Sequence, residues 1–153
     1  MRSDYFERLQ GVRDEYDVAL AGLGILARTC DTSGLKLGNN ITPKAVKRTS
    51  ENLEFTYFIR LHAEFESILR DDVQSNRGSI GNDPRVRQLE GQALKLRGKN
   101  RKTVDRNSQL FGRLEQIHRH RNSIAHGNPP PATLTLKDAM TIFNTFLSRL
   151  VGP

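Results

Sequence analysis

The stretch from residue 49 to residue 73 constrains the fold most, because its apolar residues lie in two rows at helical spacing. A helix that is apolar around most of its circumference has to be covered by other helices on several sides. We therefore predict that this helix, which begins at Thr49 or Ser50, is the central member of a helical bundle. The rows consist of Leu53, Tyr57, Leu61, Phe65 and Ile68, and of Phe55, Phe58, Ile59, His62, Glu66 and Leu69.

Two titratable residues, His62 and Glu66, lie on the second of these rows and are separated by about one helical turn. At this i, i+4 spacing both side chains point to the same side, either into the core or into a cleft. A hydrogen-bonded core pair and a functional pair both fit the pattern.

Outside this central helix, residues 3–97 predict two further helices and a loop. Residues 3–29 carry an apolar stripe behind a capping serine, which is typical of an amphipathic helix. Residues 30–48 are polar and broken by glycine and proline, so we predict a loop with at most a short turn near Pro43. An Asp-Pro pair then starts a helix over residues 83–97.

The second half predicts two helices. The penultimate one is capped near Thr103 and carries an apolar row toward residue 126, and Thr135 with Asp138 forms a capping-box-like start for the last one. We therefore predict an all-α fold, an antiparallel bundle of four to five helices in a single domain over residues 1–153.

Composition narrows the class of protein. The chain has a net charge of +7 and a pI near 10.0, which suits a polyanion such as nucleic acid or an anionic membrane surface. A basic surface kept only for solubility is the alternative. Cys30 is the single cysteine, so an intrachain disulfide is impossible and a reducing cytoplasmic location is expected. No apolar run approaches the roughly 20 residues that span a bilayer.

Positive charge is densest between residues 85 and 106. No aromatic residue is interleaved with these charges, which argues against base stacking in this window and favours contact with RNA phosphates. The alternative is that this basic window is a solvated, mobile helix end without a binding role. Arg119 adds positive charge farther along the chain. The predicted RNA-binding residues are Lys95, Arg97, Lys99, Arg101, Lys102 and Arg119.

Residues 121–127, Arg-Asn-Ser-Ile-Ala-His-Gly, look like the end of the penultimate helix, since Gly127 is followed by an asparagine and three prolines. Arg121 continues an apolar row and Ile124 follows it. A permanently charged guanidinium on a core-facing row needs a partner or a site to serve. The preceding members of the row are Leu110, Leu114 and Ile117.

This motif resembles the signature of the HEPN domain (higher eukaryotes and prokaryotes nucleotide-binding), an Arg and a His four to six residues apart with a polar residue after the Arg. Here four residues separate Arg121 from His126, and Asn122 is the polar residue. The predicted helical bundle, with the motif on its penultimate helix, is similar to that family as well.

The resemblance implies a metal-independent endoribonuclease without a cofactor, in which two chains pair as a homodimer and their motifs form a composite active site. It implies that Arg121 and His126 are the catalytic pair and that Asn122 orients or contacts phosphate. Glu66 would pair with Arg121 and set its pose; Glu64, which falls between the two rows, is the weaker candidate.

Spacing adds a geometric condition. Asn122 and His126 share a helix face, whereas Arg121 and His126 are about 140° apart around a regular helix. They converge only if the arginine side chain curls round the helix or if one of them comes from a second subunit. A histidine that interacts with the last helix carbonyls is the alternative for His126.

A metal site is not predicted, because His118 and His120 are about 200° apart on the helix. The family suggests a toxin or an antiviral defence role, with RNA as substrate and an antitoxin or other regulatory protein as partner. Some family toxins carry a modifiable tyrosine where this chain has Asn128, so silencing through that residue is not expected. The rival hypothesis is a non-catalytic helical module that binds RNA or a partner protein.

Overall fold

The computed structural model describes residues 3–33, 42–75, 108–128 and 134–151. They form four α-helices and contain no strand, which confirms the predicted all-α fold. The helices are α1 (Ser3–Ser33), α2 (Pro43–Ser75), α3 (Ser108–Ala125) and α4 (Leu136–Val151).

Helix α2 is the central member, because it packs against each of the other three described helices more extensively than any of them packs against another. Both apolar rows contribute to the core, and the ring of Phe65 stacks on that of Phe143 from α4 with centroids 4.0 Å apart. The largest fully buried side chains are Phe58, Phe65, Phe143, Leu9, Leu61, Ile68, Leu69, Leu114, Ile117, Leu136 and Leu147. The bundle predicted from the periodicity of residues 49–73 is therefore confirmed.

The prediction for residues 30–48 was wrong at both ends. Helix α1 continues to Ser33, and α2 begins at Pro43 and not at Thr49 or Ser50. Thr42 caps α2, because its hydroxyl accepts the N–H of Ala45 at 3.1 Å, and proline is well suited to the first helical position. These extra turns also bury Val46, which is their one apolar contribution to the packing.

Helices α1 and α2 are joined by a charged cluster around Arg8. Its guanidinium donates to Glu64 at 2.6 Å, to Asp71 at 2.6 Å and to Ser67 at 3.0 Å. Farther along the same interface Arg60 of α2 donates to both carboxylate oxygens of Glu15. Polar contacts thus fix the relative position of α1 and α2 beside their apolar contact.

The start of α4 is held by two sets of hydrogen bonds. Asp138 N–H donates to the Thr135 hydroxyl at 3.1 Å, and Thr135 N–H donates to the Asp138 carboxylate at 3.0 Å, as the predicted capping box requires. The carboxylate of Glu54 on α2 accepts the N–H of Leu136 at 3.1 Å. The last helix is therefore fixed against the central one at its first turn.

Several predictions lie outside the described residues. These are the helix over residues 83–97, the cap at Thr103 and the five basic positions Lys95, Arg97, Lys99, Arg101 and Lys102. Among the helices that are described, none combines the length and the apolar character that crossing a membrane requires.

Candidate functional site

The motif lies at the C-terminal end of α3, where the chain makes a Schellman turn. Gly127 has φ +69°, a left-handed conformation that glycine adopts without strain. Its N–H donates to the carbonyl of Ile124 at 3.0 Å, and Asn128 N–H donates to that of Ser123 at 2.8 Å, the two bonds that define the turn. The predicted end of the helix at Gly127 is confirmed.

Arg121 occupies the position that the apolar row predicted. Leu114 and Ile117 on the preceding turns are fully buried, and Arg121 itself is half-buried. Its Nη1 donates to Oδ1 of Asn122 at 2.8 Å, whereas its Nε is buried without a hydrogen bond. No carboxylate of the described chain forms an ion pair with this guanidinium, so its charge is left uncompensated there.

Asn122 links Arg121 to His118. Because a guanidinium only donates, the Asn122 oxygen must face Arg121, and its NH₂ group then faces Nε2 of His118 at 3.0 Å. Nε2 of His118 is therefore the acceptor in this bond. His118 lies three residues before Arg121 and four before Asn122. The three side chains form one hydrogen-bonded row along α3.

His62 of α2 meets this row from the opposite side. Its ring is fully buried, 5.7 Å from that of His118, and neither ring nitrogen has a hydrogen-bond partner in the described part of the chain. Burial, together with the positive charge of Arg121 and the nearby His118, lowers the pKa of His62 to about 3. His62 is therefore neutral at physiological pH.

Glu66 lies beside His62 and not against Arg121. Its carboxylate is 3.8 Å from Nδ1 of His62, which is too long for a hydrogen bond, and no ion pair joins Glu66 to Arg121 within the described residues. Neither the hydrogen-bonded core pair nor the Glu66–Arg121 pair is therefore formed in this chain. Glu64 binds Arg8 at the α1–α2 interface, so neither of these two carboxylates compensates Arg121.

His126 is exposed on the turn that follows α3. Its backbone N–H donates to the carbonyl of Asn122 at 3.0 Å, while its side chain makes no hydrogen bond within the described residues. The structure thus brings Arg121 and Asn122 together in one chain and leaves the His126 imidazole accessible at the helix end. The alternative in which this imidazole binds the last helix carbonyls is not formed.

Arg119 is exposed on α3, and its guanidinium donates to Glu115 at 2.6 Å. An exposed pair of this kind contributes little to stability, so a phosphate can compete for the arginine.

Two residues near the motif, His62 and His118, were not among the predicted site residues. The i, i+4 spacing of His118 and Asn122 is a signal that the sequence contained, since it places both on one helix face. His120, in contrast, packs its ring against Phe58 with centroids 4.6 Å apart. The described residues contain no group of three or more His, Cys, Asp or Glu side chains arranged to hold a metal ion.

The arrangement offers two chemical functions at one helix end. Arg121 is a fixed cation with unused hydrogen-bonding capacity, and this planar fork matches the non-bridging oxygens of a phosphate. His126 is an exposed imidazole, the side chain best suited to transfer protons near neutral pH. Together they supply charge stabilisation and acid–base chemistry.

Comparisons with known proteins identified no relatives: no family model, no curated protein and no solved structure matches the chain.

Proposed function

We propose that this protein is a metal-independent endoribonuclease of the HEPN type. The observation that carries the proposal is Arg121, a half-buried arginine that has only an amide partner in the described chain and whose Nε is buried without a hydrogen bond. Burying a charge in this way is costly unless an anion compensates it. A phosphate of RNA is such an anion, and the net charge of +7 favours a polyanionic substrate.

In the proposed reaction the 2′-hydroxyl of RNA attacks the adjacent phosphorus, and the bond from phosphorus to the 5′-oxygen breaks. A base removes the 2′-hydroxyl proton and an acid protonates the departing 5′-oxygen, so one proton is taken up and one is delivered. His126 performs one of these transfers, and Arg121 stabilises the negative charge of the phosphorane. Asn122 positions Arg121 or contacts a phosphate oxygen.

A homodimer supplies the second half of this chemistry. One chain carries one Arg121 and one His126, and the described geometry leaves the exposed imidazole without contact to the half-buried guanidinium. Two motifs facing each other across a seam that contains α3 would provide both an acid and a base. A role as a toxin or defence effector, restrained by an antitoxin or regulatory protein, is consistent with this activity.

Oligomeric state is tested by light scattering at micromolar concentration. We expect the mass of a dimer. A monomeric mass together with intact cleavage would show that one chain completes the site alone.

Cleavage of bulk RNA in EDTA tests the activity, with wild type compared with His126→Ala and with Val18→Ala, an exposed control on α1. We expect wild type and the control to leave 2′,3′-cyclic phosphate and 5′-hydroxyl ends. His126→Ala should lose about 10²-fold or more in rate. A requirement for Mg²⁺, or products with 5′-phosphates, would contradict the mechanism. RNA binding without any cleavage would favour the non-catalytic module.

A further inference from the structure

An open groove of about 540 Å³ lies beside the motif, between α2 and the turn that ends α3. One wall is a single face of α2, and the other is the end of α3 with its glycine turn. Gly127 leaves open space where a side chain would otherwise project, which keeps the groove accessible. The lining residues are Asn52, Phe55, Thr56, Ile59, Ile124, Gly127 and Asn128.

The groove combines an exposed aromatic ring with amide groups. Phe55 is 39% exposed, although most apolar residues of its helical row are covered. Ile59 and Ile124 are half-buried beside it, and the side-chain amides of Asn52 and Asn128 are exposed at the edges. A flat apolar surface flanked by hydrogen-bond donors and acceptors matches the face and the edge of a nucleobase.

Positive charge continues from the groove along the same face of α2. Lys44 and Arg48 precede Asn52 at intervals of four residues, so all three lie on one side of the helix, and both cations are exposed. Arg48 is seven residues from Phe55, about 10 Å along the helix axis. An RNA strand with one base at Phe55 can therefore place a neighbouring phosphate near these cations.

We propose that this groove binds one unpaired nucleobase of single-stranded RNA, which stacks on Phe55 while Asn52 and Asn128 contact its edge. This inference rests on the proposed function, because it treats the RNA as the substrate whose phosphate lies at Arg121. The strand has to be single because the faces of a base in a duplex are covered by its neighbours.

Charge favours RNA over a second copy of the chain as the occupant. The net charge of +7 attracts a polyanion to this groove, and it gives no attraction toward a second copy that carries the same charge. Only three of the lining side chains are large and apolar, namely Phe55, Ile59 and Ile124, which is a small contact for a dimer interface.

The test uses Phe55→Trp in the His126→Ala background, so that binding is measured without cleavage. The natural chain has no tryptophan, which makes the new indole the single reporter of its fluorescence. We expect a single-stranded oligoribonucleotide of mixed sequence to quench and shift its emission, and the matching duplex to have little effect. The control is Val18→Trp in the same background, an exposed position on α1 whose emission should not respond.

Affinity provides the second measurement. Phe55→Ala should weaken binding of the single strand about tenfold, Phe55→Tyr should restore it, and Val18→Ala should leave it unchanged. Circular dichroism should show the same helical content in all variants, since Phe55 is already partly exposed.

Two results would overturn the groove proposal. One is equal affinity of Phe55→Ala and the unsubstituted background for the single strand. The other is emission of Phe55→Trp that changes on dilution without RNA, which would identify a second copy as the occupant. If wild type cleaves RNA but Phe55→Ala binds normally, the groove proposal fails and the ribonuclease stands. If Phe55 governs binding but nothing is cleaved, the ribonuclease fails and the groove stands.

Discussion

Two half-buried arginines, Arg8 and Arg121, are held in the same bundle in very different ways. The Arg8 guanidinium has two carboxylates and a hydroxyl around it, whereas Arg121 has one amide as its partner within the described residues. Burial opposes the Arg8 charge, but hydrogen bonds to Asp71 and Glu64 outweigh it, so that the pKa of Arg8 is raised. Arg8 is a structural residue whose charge is compensated within the described chain, whereas no carboxylate there compensates Arg121, which is why we propose that an anion from outside does so.

Helix α2 is responsible for this difference, because it presents different chemistry to α1 and to α3. Toward α1 it offers the carboxylates of Glu64 and Asp71, and toward α3 it offers the neutral ring of His62. The Glu66 carboxylate lies 3.8 Å from Nδ1 of His62 and forms no ion pair with Arg121. A fully compensated Arg121 would be a poor anion site, since a phosphate would first have to displace its partner.

The largest expected effect is that of Arg121→Lys on the rate of RNA cleavage. Lysine keeps the charge but loses the planar fork, so the rate of RNA cleavage should fall about 10²-fold, as when a transition-state donor is removed elsewhere. Arg8→Lys is the matched control and should cleave at the wild-type rate. Equal rates for wild type and Arg121→Lys would show that Arg121 contributes no more than a point charge.

The effect of Arg8→Ala is on stability. Removing it leaves Glu64 and Asp71 without their partner at the α1–α2 interface, and we expect a loss of roughly 2–3 kcal/mol in the free energy of unfolding. Urea denaturation measures this loss. Arg13→Ala breaks only the exposed pair with Asp17 on α1 and should cost less than about 1 kcal/mol. Similar losses of unfolding free energy for the two variants would show that Arg8 stabilises the fold no more than an exposed ion pair does.

The imidazole side of α2 should be sensitive to acid. The folded-state pKa of His62 is about 3 and its unfolded value is 6.5, so the unfolded chain binds the extra proton first as the pH falls. The stability contributed by neutral His62 is present above pH 6.5 and is lost progressively toward pH 3. Between pH 7.5 and pH 5 the loss should be about 2 kcal/mol.

His62→Leu isolates the contribution of His62 to the pH dependence of stability, because the carboxylates of the chain titrate in both wild type and the variant. Urea denaturation of wild type and of the variant at several pH values should give curves that diverge below pH 6.5, with wild type losing more. Among the described residues, the titratable and charged groups beside His62 are Glu66, His118 and Arg121. Parallel curves would mean that protonated His62 is accommodated in the folded chain, with Glu66 as its counter-ion.

The sequence predicted what depends on local periodicity and capping. The rows of α2, the turn at Gly127, the Thr135 capping box and the core-facing position of Arg121 all follow from spacing within one helix. The start of α2 at Pro43 was missed because three of the six residues 43–48 are charged and Val46 alone among them is buried.

What could not be predicted depends on contacts between helices. His62 and His118 come together because α2 and α3 pack with a particular relative rotation, and no spacing in the sequence fixes that angle. The same rotation directs Glu66 to His62 and leaves Arg121 without a carboxylate in the described chain. The Asn122–His118 bond is different, since its i, i+4 spacing made it available to sequence reasoning.

The smallest expected effect is on the salt dependence of RNA binding, and it separates the two arginines most directly. Arg8→Gln and Arg121→Gln each remove one positive charge, so they change the long-range attraction of the chain for RNA alike. Only an arginine that touches a phosphate releases counterions, and for a single strand each such contact contributes about 0.7 to the slope of log affinity against log salt. Measured in the His126→Ala background with a single-stranded oligoribonucleotide, Arg121→Gln should flatten the slope by about this amount, while Arg8→Gln should leave it unchanged. Unchanged slopes for both variants would place the phosphate away from Arg121 and return that residue to the same structural class as Arg8.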